Sequence, residues 1–149
     1  PNGALLTAYL YFLKEASPNN IDSELQRLIS VEPNNDKAHV LIANNFLAKG
    51  QHVEAIASYE QALVNNPQSV PALNNLAWLL KENKIDRALS YANKAAQLAP
   101  NSANVLDTLA WVLHLNGDKK QALDTINKAI ELDPNNTELQ PHKAQILGA

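Results

Sequence analysis

Apolar residues recur along the chain at the spacing of an α-helix. Three segments carry them at i, i+3, i+4 and i+7, a pattern that places four side chains on one helix face. These stripes are His39, Ile42, Ala43 and Phe46; Leu73, Leu76, Ala77 and Leu80; and Leu106, Leu109, Ala110 and Leu113. Each is followed by a second segment with small residues at helical spacing: Ala55, Tyr59 and Ala62; Ala88, Ala92 and Ala95; and Ala122, Ile126 and Ala129. Small residues let two helix backbones approach closely, so the pattern predicts three antiparallel helix pairs.

The helix pairs recur at a nearly constant interval of roughly 34 residues, which is typical of repeat architectures. Prolines close the pairs at Pro33, Pro67, Pro100 and Pro134, and the step between the second and third is one residue shorter than the other two. One alanine of each apolar stripe keeps the same interval: Ala43, Ala77 and Ala110. The distance from the second to the third of these alanines is again one residue shorter. The prolines and the alanines therefore independently indicate the same repeating unit.

The turn inside each pair accounts for the one missing residue. The outer repeats place Gly50 and Gly117 directly after a helical run, as a helix C-terminus prefers. The middle repeat has the residues 81–84 at that point and is one residue shorter. Asparagine pairs at 34–35, 65–66 and 135–136 flank the prolines, where asparagine tolerates turn geometry and can cap the next helix.

These columns resemble the tetratricopeptide repeat, whose pattern is a large apolar residue, Leu, a small residue, an aromatic, Ala, an aromatic, Ala and Pro. Repeats at 36–69, 70–102 and 103–136 match it, with departures at His39, at Ala92 and in the middle turn. A degenerate N-terminal pair is predicted over 4–33, with helices at 4–16 and 21–31, and a lone capping helix over 137–149. The resemblance implies one all-α, right-handed α-solenoid of about nine helices over 1–149.

Two tryptophans project away from the packed stripes. At ~100° per residue, Trp111 lies about 150° from its stripe, and Trp78 takes the same place one repeat earlier. In tetratricopeptide proteins this face resembles the concave groove that takes up a peptide. The resemblance implies groove residues at Lys37, Val40, Asn44, Asn74, Trp78, Lys81, Asn104, Asp107, Trp111 and His114. The alternative is that both indoles fill space between neighbouring first helices.

A narrower family role is disfavoured by the groove residues themselves. Members that bind chaperone tails clamp a terminal carboxylate with Lys and Arg interleaved with Asn. At the repeat positions where those members have Asn, this chain has Asn44 and Asn75. At the positions where they have Lys or Arg, it has Val40, Asn104 and Thr108. A clamp for two carboxylates therefore lacks its charge.

Composition and motifs argue against other function classes. Twelve Lys+Arg against fifteen Asp+Glu give a net charge of −3 without a basic run, which disfavours nucleic acid. The repeat interval is also shorter than that of the helical RNA readers. Cysteine is absent, the four histidines are scattered along the chain at 39, 52, 114 and 142, and no Gly-rich phosphate loop exists, so no catalytic residue, metal or cofactor is predicted. Asp107 and His114 share a face but lie two helical turns apart, too far for a dyad without another helix.

The ends of the array suggest a second hypothesis. The apolar stretch from residue 4 to 13 spans ten residues, short of the ~20 that cross a bilayer, so no membrane insertion of this segment is expected. Its face of Leu5, Tyr9, Phe12 and Leu13 could stack on another copy or on further repeats. The chain would then be a self-association module or a fragment of a longer array.

The segments 74–78 and 106–111 also resemble bacterial tetratricopeptide lipoproteins of PEP-CTERM, exosortase-type protein-sorting and exopolysaccharide systems. That resemblance implies a membrane-tethered scaffold in the periplasm or cell envelope. The chain shows no targeting signal from which its localisation could be read directly, and it identifies no particular partner beyond a protein or peptide.

Overall fold

The computed structural model describes residue 15 and residues 21–148 of the chain. This part contains only α-helices and no strand, which confirms the all-α prediction. The eight helices are α1 (Ile21–Val31), α2 (Asp36–Ala48), α3 (His52–Asn65), α4 (Val70–Leu80), α5 (Ile85–Leu98), α6 (Ala103–Leu115), α7 (Lys119–Leu132) and α8 (Leu139–Leu147). The helix predicted over 4–16, with Leu5, Tyr9, Phe12 and Leu13, lies outside the described residues except for Glu15.

The predicted prolines stand immediately beyond helix ends. Pro33, Pro67, Pro100 and Pro134 each come second after the last residue of α1, α3, α5 and α7. A proline has no N–H to donate and disfavours helical geometry in the residue before it, so it cannot continue the preceding helix. The repeating proline therefore fixes where each second helix stops.

Side-chain caps and glycine turns define the other boundaries. Asn35 caps α2 by accepting a hydrogen bond from the backbone N–H of Ala38 at 3.1 Å, as predicted for this asparagine pair. Ser102 caps α6 in the same way through the N–H of Val105. Gly50 and Gly117, after α2 and α6, have φ of 72° and 91°. Only glycine adopts that backbone conformation without a steric penalty, which explains the glycine in these two turns.

The chain divides into two compact units, residues 1–72 and 73–149. In the first unit α2 packs against both α1 and α3. Leu25 of α1 and Ile42 of α2 form the centre of an apolar cluster, and Tyr59 of α3 is fully buried. Full burial of such a side chain stabilises the fold by about 1.5–3 kcal/mol relative to its exposed state.

In the second unit α6 packs against α5, α7 and α8, and α7 also packs against α8. The small residues of the second helices are fully buried: Ala88, Ala92 and Ala95 of α5, and Ala122, Ile126 and Ala129 of α7. The stripe of α6, with Leu106, Leu109, Ala110 and Leu113, is buried as well. The unit therefore buries the faces that the helical spacing predicted.

Candidate functional site

A cleft of about 610 Å³ opens on the surface of the second unit. Three helices border it: α4 and α6, which are first helices of their pairs, and α8 with the turn before it. The lining residues are Asn74, Asn75, Trp78, Asn104, Asp107, Thr108, Thr137, Glu138, Pro141, His142 and Gln145. Most of them carry an amide, hydroxyl or carboxylate, so the cleft offers both donors and acceptors beside one large aromatic ring.

The imidazole of His142 connects the two tryptophans. Its ring stacks on the Trp78 indole with centroids 6.3 Å apart, and it lies 5.1 Å from the centroid of Trp111. The His114 ring also belongs to this cluster, with its centroid 5.5 Å from that of Trp111. Both indoles are half-buried, so each combines intramolecular ring contacts with accessible surface.

A cation already rests on one tryptophan. The Nζ of Lys81 lies 4.0 Å from the centroid of the Trp78 ring, and it also donates to the Trp78 carbonyl at 3.3 Å. The electron-rich face of an indole attracts an ammonium group at this distance. The carboxylate of Glu82 stands 3.8 Å from the same Nζ, but its side chain is exposed and solvent screens the pair.

Asp107 and His142 form the polar centre of the site. The Nδ1 of His142 donates to both carboxylate oxygens of Asp107, at 2.7 and 2.9 Å. The side chain of Asp107 is only 12% exposed and that of His142 only 21%. Burial raises the pKa of the Asp107 carboxyl above its ordinary value, and the hydrogen bond from His142 offsets part of that rise.

The amide of Asn74 is the least satisfied group in the cleft. Its residue is 6% exposed, and within the described residues its Oδ1 accepts no hydrogen bond. Nearby, Thr108 donates its hydroxyl to the backbone carbonyl of Asn104 at 3.2 Å, and Asn104 is an exposed residue. A buried acceptor without a donor costs stability, and the residue that carries this one lines the cleft.

The first unit has its own cleft, of about 530 Å³, between α2 and the segment that joins α3 to α4. Lys37, Val40 and Asn44 of α2 line it. The buried Tyr59 donates its hydroxyl to the Asn44 side chain and holds that amide in place. Charge is balanced here, because Asp36 and Lys37 are both in the lining.

Comparison with known proteins identifies the repeat. Two family models described as tetratricopeptide repeat match the chain, one over residues 23–70 and 40–103 and the other over 79–146. The chain belongs to the tetratricopeptide repeat family. Anaphase-promoting complex subunit 3 of Schizosaccharomyces pombe is 24% identical over 124 residues, which is 83% of this chain and 19% of that protein. The chain thus spans about a fifth of the length of the curated relatives it matches.

Solved structures share the fold. Pseudomonas aeruginosa pilF superposes with a TM-score of 0.81 at 23% identity, over 98% of this chain and 67% of that one. The first tetratricopeptide domain of Spaghetti (RPAP3), bound to the HSP90 peptide SRMEEVD, superposes with a TM-score of 0.70 at 20% identity, over 76% of this chain and 90% of that one. At these identities the likeness concerns the fold alone.

The predicted groove residues fall into three groups. Asn74, Trp78, Asn104 and Asp107 line the cleft of the second unit. Trp111, His114 and Lys81 lie beside that cleft, in ring contact with its lining residues or with each other. Lys37, Val40 and Asn44 line the cleft of the first unit. Asp107 differs from the expectation of an open groove position, because it is largely buried against His142.

Sequence reasoning missed the contribution of α8 to the cleft. This helix and the turn before it supply Thr137, Glu138, Pro141, His142 and Gln145. The repeat interval contained the signal, because one full step of the repeat leads from Thr108 to His142 and from Trp111 to Gln145. Helix α8 thus presents to the cleft the face that a first helix of the next repeat would present.

Other site types lack their parts among the described residues. No helix in residues 21–148 is long and apolar enough to span a membrane. No three side chains of His, Asp or Glu in this part of the chain are grouped to hold a metal ion.

Proposed function

We propose that this tetratricopeptide chain is a non-catalytic scaffold that binds an extended peptide segment of a partner protein in the cleft of its second unit. The observation that carries the proposal is the half-buried Trp78 on the wall of a cleft whose other lining groups are largely polar. An aromatic side chain fixed by the protein gives a partner a rigid apolar contact without a large loss of side-chain entropy.

The amides of the lining suit a peptide backbone. Asn75, Asn104 and Gln145 each carry both a donor and an acceptor, which is what the alternating N–H and C=O groups of an extended chain require. A cleft of about 610 Å³ also accommodates several side chains. The tetratricopeptide domain of Spaghetti binds an HSP90 peptide, which supports peptide capture as a function of this fold.

The partner segment differs in chemistry from an acidic chaperone tail. At the family's cation positions this chain has Val40, Asn104 and Thr108, none of which can pair with a carboxylate by charge. Asp107 and Glu138 line the same cleft and repel one. We therefore do not expect binding of a terminal Glu-Glu-Val-Asp segment.

Selection of displayed peptides followed by titration tests the proposal. Phage that carry random dodecapeptides would be selected on the immobilised full chain, and one enriched peptide would then be titrated while indole fluorescence is followed. The chain has two tryptophans, so Trp111→Phe leaves Trp78 as the only indole reporter. A bound peptide should change the Trp78 emission, because it would replace water at that ring.

Trp78→Ala should weaken the selected peptide by at least about 30-fold, which corresponds to the ~2 kcal/mol of a binding hot spot. Val53→Ala is the matched control, since Val53 is an apolar residue of α3 with 79% of its surface exposed. Absence of any enriched peptide, or enriched peptides that bind Trp78→Ala as well as the parent, would exclude this cleft as the binding site.

The cellular setting is a separate part of the proposal. The Leu-Ala-Trp segments at 76–78 and 109–111 support a role in a bacterial envelope protein-sorting or exopolysaccharide system. The test is fractionation of cells that express the full-length gene product. Recovery in the envelope fraction after removal of the cytoplasm is expected, and recovery only in the cytoplasm would refute it.

A further inference from the structure

We propose that the cleft of the second unit binds an arginine side chain of the partner peptide. This inference rests on the proposed function and specifies the chemistry of its ligand. Three independent features of the cleft support it: the charge of its lining, the unsatisfied amide of Asn74, and the indole of Trp78.

The described residues that line the cleft are acidic on balance and include no Lys or Arg. Among the described residues that line it, the charged groups are Asp107 on α6 and Glu138 in the turn directly before α8, and His142 is the one other titratable group. Burial raises the pKa of the Asp107 carboxyl by removing water from the charged form, and the nearby Glu138 carboxylate adds repulsion in the same direction. A bound cation would supply positive charge, whereas a bound carboxylate would add repulsion.

The side chain of Asn74 has an unsatisfied hydrogen-bond acceptor. Its Oδ1 is buried without a donor among the described residues, on a side chain that lines the cleft. For this oxygen to meet a ligand the amide would have to rotate about its last side-chain bond, and the proposal includes that rotation. A carboxylate has no hydrogen to donate at neutral pH, and a guanidinium has five N–H groups in a planar fork. The unsatisfied acceptor therefore favours the cationic ligand.

Trp78 supplies the aromatic surface. The Lys81 ammonium lies 4.0 Å from its centroid, a distance at which the electron-rich face of an indole attracts a cation. Lys81 is outside the cleft lining, and the His142 ring, which is part of that lining, stacks on the same indole with centroids 6.3 Å apart, so a ligand would contact the half-buried indole beside these two groups. A planar guanidinium stacks on aromatic rings and has several N–H donors, and the acceptors of Glu138 and Asn74 belong to residues that line the same cleft. A lysine ammonium is a point charge that matches this flat, multi-acceptor arrangement less well.

The phage selection on the full chain tests the inference separately from the proposed function. Peptides that require Trp78 should share an arginine, and replacing it in a synthetic peptide should weaken binding about tenfold for Arg→Lys and about 100-fold for Arg→Gln. If no peptide is enriched, the proposed function and this inference both fail. If Trp78-dependent peptides are enriched without arginine, or bind more tightly after Arg→Glu, only this inference is overturned.

Variants of the protein give a second readout. Glu138→Gln keeps the shape of this exposed side chain and should weaken the arginine peptide about fivefold, with no effect on its Arg→Gln form. Glu138→Arg should reverse the preference toward the Arg→Glu peptide. Lys81→Met is the matched control, because it removes a cation beside the cleft: the arginine peptide should then bind equally or more tightly. Weaker binding to Lys81→Met, or unchanged binding to Glu138→Gln, would contradict the proposed contact.

Discussion

The contact between Asp107 and His142 should couple α6 to α8 measurably. The perturbation is a double-mutant cycle of Asp107→Ala, His142→Ala and the two together, each compared with the parent chain. His142→Ala also removes ring contacts with Trp78 and Trp111, but that loss is present in the double variant as well and cancels in the cycle. What remains is the free energy of the carboxylate–imidazole interaction.

The geometry sets the size of this coupling. A hydrogen bond to a charged group contributes about 1.5–3 kcal/mol when it is shielded from water. Here His142 donates to both oxygens of Asp107, at 2.7 and 2.9 Å, yet the side chains keep 12% and 21% of their surface exposed for Asp107 and His142 respectively. Water that reaches these atoms competes for them, so we expect a coupling of about 1–2 kcal/mol at neutral pH.

Urea denaturation followed by far-ultraviolet circular dichroism measures it, because this signal reports helix content without depending on the tryptophans. The free energy of unfolding of all four proteins should be compared at one ionic strength. A coupling below about 0.5 kcal/mol would refute the reasoning, since it would mean that solvent replaces the contact at no cost.

The pH dependence gives the same carboxyl a second test with a definite sign. Burial raises the pKa of Asp107 in the folded state above its ordinary value of 3.8. The folded protein therefore binds this proton more tightly than the unfolded chain, and the stability that results is lost as the pH rises through the folded pKa. Asp107→Asn lacks this loss, so its stability relative to the parent should increase as the pH is raised from about 4 toward neutrality. A relative decrease over that window would show that the His142 contact, rather than burial, dominates.

Three other measurements follow from the structure. The hydrogen bonds from Lys49 and Asn45 lower the pKa of Asp22 in the folded protein. Their contribution to the free energy of unfolding is therefore present above pH 3.8 and is lost as the pH falls through the folded pKa. In urea titrations, Lys49→Met should lower the free energy of unfolding by at most about 1 kcal/mol near neutral pH and should leave it unchanged in strong acid. Gly117→Ala should lower the unfolding free energy by about 1–2 kcal/mol, because alanine must adopt a φ of 91°, even though no atom of the described residues lies within 4 Å of the added methyl group. An unchanged midpoint in thermal denaturation would contradict this. Self-association through the N-terminal face stays a prediction: light scattering should show concentration-dependent dimers that Tyr9→Glu with Phe12→Glu abolishes, and a strict monomer at high concentration would exclude it.

The spacing of residues predicted the helices because helical geometry is local. A rise of ~1.5 Å and a turn of ~100° per residue decide which side chains share a face, whatever the rest of the chain does. Ala77 and Ala110 are accordingly fully buried, as their stripes indicated. Proline and glycine act on their immediate neighbours as well, so the helix ends at Val31 and Ala48 could be anticipated from Pro33 and Gly50.

The site was predicted only in part, because its contacts are not local. The sequence placed Trp78, Asn74 and Asp107 on the open face of first helices, and the structure brings them to one cleft. Nothing in the pattern paired Asp107 with His142, which lies one repeat farther along the chain. That contact depends on how far α8 is displaced and rotated against α6, and those quantities are set by the packing of side chains between them.

The residue pattern alone thus specified a repeating helix pair, its boundaries and its buried face, since each follows from backbone geometry over short stretches of chain. Three-dimensional packing was needed to bury Asp107, to leave Asn74 without a donor and to complete the cleft with α8. The burial and the hydrogen-bond partner of a side chain depend on how neighbouring helices pack, because a small shift of one helix against another replaces one hydrogen-bond partner with a different one.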